Sequence, residues 1–430
     1  MPQVEGACFL LCGTSTTDRE VRLLCRIVIP VPPAAYLERR ADFLSLDSSS
    51  YVAAAKIAKE ENLSIVFVHS HPGGLREFSE QDDREDPKLQ EFFAKRVPDR
   101  IHGSLVLTNE SMIGRVWVDG GFQKMDLIRS IGRRFSFVFQ DETDNSFSEF
   151  FDRQVRAFGA DIQTVLSRLH IGVVGAGGTG SAVIEQLTRL GVGELSDFDE
   201  DVFEPSNVNR VYGSSSEDGG KFKVEIAERN VAHIKVGTKV NSWPKHITKK
   251  SAALALRDCD LVFGCTDKQA PRAVLTQLSL RYLIPVIDMG VVIESEEGVI
   301  RDVVGRVTTL FAGEACLYCR GRIDPHAIMY EGLPEEERLR QQAQGYVPEL
   351  ATRAPAVVPF TTAVAATAIS EFLHRITGFM GATRESTEIL QFFDKTKITA
   401  NRPRPGESCI CADRDLWGSG DSPRFLGMFG

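Results

Sequence analysis

From the start of the chain to about Phe135, apolar positions come in short runs: "ACFLLCG", "VRLLCRIVIPV", "LSIVFVHSH", "GSLVLTN" and "IGRVWV". Rich in Val, Ile and Leu, they read as strands. Between them, "SSYVAAAKIAKEEN" spaces its apolar residues as a helix does, with a serine available to cap it. The polar, acidic "QDETDNSFSE" (140–149) then interrupts the pattern and reads as a linker. After it, strand-like and helix-like segments alternate: "HIGVVGAG", "GSAVIEQLTRLG", "ELSDFD", "KFKVEIAERNVAHI", "DLVFGCTD" and "APRAVLTQLSLRYLIPVIDMG". Such alternation predicts a largely parallel sheet covered on both faces. A late amphipathic helix, "AVAATAISEFLHRITG", ends at Gly378. The fold class is α/β, with a mixed α+β domain over 1–135, a linker over 136–149, a doubly wound Rossmann-like domain over 150–400 and a tail over 401–430. The charged "EGLPEEERLRQQAQG" (331–345) is either a crossing loop or an exposed helix.

Composition narrows the class of function. A chain of 430 residues exceeds one ordinary domain, and 43% hydrophobic with 25% charged residues is a normal globular balance. A net charge of −9 without a basic block argues against a nucleic-acid partner. No apolar run approaches the ~18–20 residues that span a bilayer. The N-terminus lacks the basic region of a signal peptide, so a cytoplasmic location is expected. Nine cysteines include two close pairs, a spacing that suits metal ligands better than bridges.

The stretch "VHSHPGGLREFSEQDD" (68–83) carries the first candidate chemistry. His69 and His71 stand two apart at a strand end, so both imidazoles project to one face. A Pro-Gly-Gly turn lets the chain fold back to Asp82. Two histidines, one carboxylate and a water make a four-coordinate zinc site with an open position. Such a zinc lowers the pKa of its water to about 7 and polarises a carbonyl. Ser79, three residues before Asp82, is placed to donate to a developing oxyanion. The full string, His-Ser-His, seven residues beginning with Pro72, Ser, two residues, Asp, resembles the signature of the JAB/JAMM (MPN) metalloproteases over roughly residues 1–130. The resemblance implies a cytidine-deaminase-like fold and cleavage after the C-termini of ubiquitin-like proteins. It also implies zinc on His69, His71 and Asp82, Ser79 at the oxyanion, and a glutamate general base on an earlier strand. Glu5, leading into "GACFLLCG", matches that position best, with Glu20 as the alternative; only four residues precede Glu5, so the family's usual first helix is missing.

A second motif opens the later domain. In "HIGVVGAGGTGSAVIEQL", Gly175 makes the turn, Gly177 admits a phosphate to the backbone and Gly180 permits close helix packing. Asp199, nineteen residues after Gly180, is placed for a ribose. Asn207, Arg210 and Lys223 add phosphate-facing groups that a nicotinamide site does not require, and Asp267 follows a later strand where a carboxylate holds Mg²⁺. Together with Arg153 and "PAVVPFTTAVAATAISEFL", these residues resemble the ThiF/MoeB class of ubiquitin-activating-like adenylyltransferases over about 150–400. The resemblance implies ATP cradled by Gly175, Gly177, Gly178 and Gly180, ribose on Asp199, and phosphates on Asn207, Arg210 and Lys223. It further implies Mg²⁺ on Asp267 and a homodimer in which Arg153 reaches the partner's ATP. Many such proteins carry a structural zinc on two Cys-x-x-Cys pairs. Here Cys316 and Cys319 form one pair, and Cys409 and Cys411 stand one residue closer than the second pair requires.

The combined expectation is a bifunctional enzyme of a prokaryotic ubiquitin-like conjugation pathway, using zinc, ATP and Mg²⁺. Its partner would be a ubiquitin-like protein with a C-terminal Gly-Gly tail. The crossing segment 321–350 holds no cysteine, so the adenylate is expected to pass to a separate conjugating partner rather than to a thioester on this chain. Three rivals remain at this stage: adenylation of a peptide natural-product precursor or sulfur carrier, a dinucleotide-dependent oxidoreductase with an appended metal site, and an inactive binding scaffold.

Overall fold

A computed structural model describes residues 3–141, 147–334, 336–338, 340 and 355–421. They fold as two compact units. The first takes residues 3–130, 135–141 and 414–421; the second takes 131–134 and the described residues from 147 to 413. The centre of the linker (142–146) and, in the segment 331–345, residues 335, 339 and 341–345 lie outside the described residues.

In the first unit a six-stranded sheet runs in the order Val21–Pro30, Ala7–Thr16, Ser64–Ser70, His102–Leu107, Met112–Val118, Gly121–Lys124. Only Ser64–Ser70 and His102–Leu107 pair in parallel. Phe9 lies opposite Phe67 and Leu11 opposite Ile65 in the register. Alternation sends these four to one face, where helices Ser48–Glu60 and Glu80–Arg96 bring Ala54, Ala58 and Phe93 onto them. Each fully buried side chain of this size stabilises the fold by about 1.5–3 kcal/mol. The helix Ser48–Glu60 stands where its spacing predicts, but its cap is Asp47, which accepts from the Ser49 amide at 2.9 Å. A carboxylate there meets both an unsatisfied N–H and the positive end of the helix dipole.

The second unit is built on eight strands in the order Lys239–Trp243, Glu194–Phe198, His170–Val174, Leu261–Gly264, Val286–Glu296, Val299–Leu310, Glu388–Phe392, Lys397–Asn401. The first five are parallel and the last three antiparallel. The parallel sheet predicted from the βα alternation therefore ends at Val286–Glu296, which turns back in a hairpin to Val299–Leu310. Strand order reverses between His170–Val174 and Leu261–Gly264, the switch point at which open α/β sheets hold their ligands. The helix Val358–Thr377 packs against Gly178–Arg189 and the strand Val286–Glu296, and Gly378 closes it in the left-handed conformation (φ 77°). Among the described residues, no helix is long and apolar enough to cross a membrane.

Candidate active sites

The alternation that buries Phe9 and Phe67 also places His69, which lies opposite Ala7. His69 and His71 thus leave the strand end on the core-facing side, with Nε2 atoms 3.1 Å apart. The helix Glu80–Arg96 begins with a capping box: the Asp82 amide donates to Ser79 Oγ at 3.2 Å, and the Ser79 amide donates to Asp82 Oδ2 at 2.7 Å. That box turns the Asp82 carboxylate back toward the histidines, 3.1 Å from His69 Nε2 and 3.4 Å from His71 Nε2. His71 Nδ1 donates to the Leu75 carbonyl at 3.1 Å, which leaves Nε2 with its lone pair free. Burial would raise the Asp82 carboxyl, but His69, His71 and Ser79 outweigh it and hold the group well below the usual carboxylate range. Two imidazole lone pairs and an ionised carboxylate, all within 4.8 Å of one another, fit zinc as three donors of a four-coordinate site.

Glu5 shares a cavity of about 610 Å³ with His69, Ser79 and Asp82. It is 5% exposed, and burial raises its carboxyl above the usual range against the opposing pull of His69 and His71. Glu20 is not among the residues lining that cavity and pairs instead with Arg22 and Arg129. Ser79 Oγ donates to Asp82 Oδ2 at 2.8 Å, so the hydroxyl proton is committed to the helix cap. Two participants were not read from the sequence. Asp86, one turn after Asp82, lines the same cavity and is bound by Arg115 at 2.8 Å. The signal for Arg115 was an arginine inside the apolar run "IGRVWV".

In the second unit the glycine turn follows His170–Val174. Gly175 has φ +97°, and a Cβ there would stand 2.7 Å from the Cys265 carbonyl oxygen. A Cβ on Gly180 would stand 1.7 Å from the Gly175 carbonyl oxygen, so the helix enters against the turn itself. Gly177 caps the helix Gly178–Arg189 without a side-chain bond, leaving its first amides open to an anion. Arg210 lies against Gly178, and its guanidinium donates to the Ser206 carbonyl at 2.7 Å. Asp199 Oδ2 accepts from the Ala176 amide at 2.7 Å, which brings it to the glycine turn; burial raises its carboxyl, opposed by Lys223. Lys223 Nζ pairs with Asp201 at 2.6 Å, and Asn207 is buried with Oδ1 accepting from the Glu204 amide. Asp267 is exposed in the loop after Leu261–Gly264, and Arg153 is exposed on the helix Asp152–Phe158. An open glycine cradle with cationic and acidic groups around it fits a nucleotide triphosphate. Glu331 was not foreseen: its carboxylate accepts from the Gln269 and Ala270 amides at 2.8 Å each, capping the helix Gln269–Arg281 just after Asp267.

The four late cysteines converge. Cys316 Sγ lies 4.0 Å from Cys319 and 3.4 Å from Cys409, and Cys319 lies 3.4 Å from Cys411. All four sulfurs fall within 4.8 Å of one another, which fits a closed tetrahedral zinc despite the shortened second pair. Burial pushes the Cys265 thiol well above its usual range, so it is a poor nucleophile.

Residues 151–411 match the model of the ThiF family. The chain belongs to the ThiF family. Residues 2–118 match the model for prokaryotic homologs of the JAB domain, so a JAB domain precedes the ThiF domain in one chain. The adenylyltransferase and sulfurtransferase UBA4 of Lodderomyces elongisporus is 33% identical over 143 residues, 32% of this chain and 31% of that protein. The ubiquitin-like modifier-activating enzyme 5 of Dictyostelium discoideum is 29% identical over 41% of this chain and 46% of its own length. The sulfur carrier protein adenylyltransferase of Thermus thermophilus is 30% identical over 28% of this chain and 45% of its own length. The chain thus spans less than half of each of these relatives. A crystal structure of E. coli MccB with MccA-N7isoASN has the ThiF-type fold at TM-score 0.50 and 17% identity, covering 62% of this chain and 75% of MccB.

Proposed function

We propose that this chain is a bifunctional enzyme of a prokaryotic ubiquitin-like pathway. Its ThiF domain adenylates the C-terminal glycine of a ubiquitin-like or sulfur-carrier protein, and its JAB domain hydrolyses a peptide or isopeptide bond after such a tail. Relatives named as adenylyltransferases of a sulfur carrier and as activators of a ubiquitin-like modifier support the first activity. In that reaction a tail carboxylate oxygen attacks the α-phosphorus while the bond to the β-phosphate breaks and pyrophosphate leaves. The protein's task is alignment and charge neutralisation. The amides around Gly177 and Gly178, with Arg210 and Lys223, take the phosphates. Asp199 orients the ribose, Asn207 supports the phosphate side and Asp267 holds Mg²⁺. Arg153 reaches the nucleotide of a second copy in a homodimer.

The observation that carries the peptidase reading is that Glu5 shares one cavity with His69 and Asp82, which cluster with His71 as a ligand set. Zinc bound to those three ligands supplies a Lewis acid for the scissile carbonyl and a water acidic enough to attack near neutral pH. Glu5 takes the proton of the attacking water and returns it to the leaving amine, a task that its raised carboxyl suits. Ser79 stabilises the oxyanion once its hydroxyl turns from Asp82. Zinc content and cleavage of a ubiquitin-like fusion, measured in wild type and His71→Ala, test this reading. The substitution should remove one zinc per chain and abolish cleavage while the Cys316 cluster keeps its metal. Equal zinc content, or cleavage without it, would overturn the assignment.

A further inference from the structure

We propose that Arg115 is the positioning residue of the N-terminal metal site, fixing the helix turn that carries Asp82 and thereby setting metal affinity. The inference rests on reading His69, His71 and Asp82 as the ligands. The two histidines belong to the strand Ser64–Ser70 and the residue after it, whereas Asp82 belongs to the helix Glu80–Arg96. The ligand geometry therefore depends on how that helix is seated on the sheet. Ser79 secures the helix start internally, but its partners are all within the helix turn and fix nothing relative to the strands.

Gln90, two turns after Asp82, bonds Gly103 and Ser104 of the strand His102–Leu107, and Arg115 ties the turn that carries Asp82 itself. It stands on the strand Met112–Val118, and its Nη1 lies 2.5 Å from Asp83 while Nη2 and Nε lie 2.8 and 3.3 Å from Asp86 Oδ2. Its guanidinium carbon is 3.7 Å from the centre of the Phe78 ring and 3.9 Å from that of Phe122. The contacts at 78, 83 and 86 bracket Asp82 on both sides. Phe78 in turn meets the His69 ring edge-on at 6.5 Å, so the same group steadies one imidazole. Arg115 is 9% exposed and Asp86 3%, and a planar fork stacked between two rings is a task lysine cannot copy.

Arg115→Lys in the full chain is the test, read by chelator competition for zinc and by the visible bands of the cobalt-substituted protein. His71→Ala supplies the spectrum of the cysteine site for subtraction. Loss of an outer-shell partner lowers metal affinity by about 10–100-fold. That loss is expected here, with altered N-terminal cobalt bands, even if the melting temperature of the metal-free protein falls with the disturbed buried pair. A merely structural ion pair would lower that melting temperature and leave the bands alone, and wild-type affinity with wild-type bands overturns the proposal. If Arg115→Lys does not fold, Asp83→Asn decides, because that carboxylate is 61% exposed: a several-fold loss of affinity is expected, and none overturns it. If His71→Ala keeps its metal, the ligand reading fails; if His71→Ala loses metal while Arg115→Lys binds normally, only the role of Arg115 fails.

Discussion

Single carboxyl groups decide much of the chemistry. Glu5 should be removable as a base without disturbing the ligands, since His69, His71 and Asp82 hold one another. Glu5→Gln is expected to keep zinc and lose at least ~10²-fold in cleavage rate, measured on a fusion substrate. Normal cleavage in that variant would move the role elsewhere. Asp197 makes a different prediction. Burial pushes its carboxyl up to about 8, with Ser242 pulling the other way. The folded state therefore keeps a proton that the unfolded chain releases above about pH 4. Stability from this group is fully present below pH 4, falls by up to about 1.4 kcal/mol per unit as pH rises, and is lost by about pH 8. Denaturant melts at pH 5 and pH 8 should show that dependence, and Asp197→Asn should flatten it. The His-x-His, the glycine turn and Asp199 were legible because each chemistry demands those residue types at fixed spacing. Asp86, Arg115 and Glu331 were not, because their roles arise from pairings far apart in sequence, such as Asp86 with Arg115.

At the scale of elements, periodicity located most strands and helices. Runs such as "IVFVHSH" and "HIGVV" alternate or stay apolar because their strands are buried on one or both faces. The antiparallel half of the large sheet was harder to foresee, since Val286–Glu296 turns straight into Val299–Leu310 and Glu388–Phe392 into Lys397–Asn401, with no helix between the paired strands. The cysteine pairs also needed three dimensions. A Cys-x-Cys on its own is ambiguous, and only the approach of Cys409 to Cys316 and of Cys411 to Cys319 makes one four-sulfur set. Replacing Cys411 by Ser should lower zinc by one per chain and destabilise the ThiF domain by more than about 1 kcal/mol, the centre of the range for single substitutions. Metal analysis beside thermal melts checks both, and full zinc in the variant would show that the cysteines are ordinary thiols.

At the scale of the molecule, the JAB domain includes a segment from the far end of the chain. Residues 414–421 join it through the Thr16 amide bound to Asp421 at 2.7 Å, the Arg26 guanidinium bound to the Asp415 carbonyl at 2.9 Å and Gly13 packed on Gly418. Contacts of this kind leave no trace in hydrophobic spacing, which is why 401–430 read as a tail carrying a Cys pair and not as part of the first domain. On the proposed reading the two domains share a substrate, since adenylation and hydrolysis are both assigned to one kind of C-terminal tail. Activation of such a tail with ATP is tested most directly by exchange of labelled pyrophosphate into ATP. Exchange is predicted only when a ubiquitin-like or sulfur-carrier protein ending in Gly-Gly is supplied, and Asp267→Ala should abolish it. Tight binding of NAD with no exchange for any such acceptor would contradict the account.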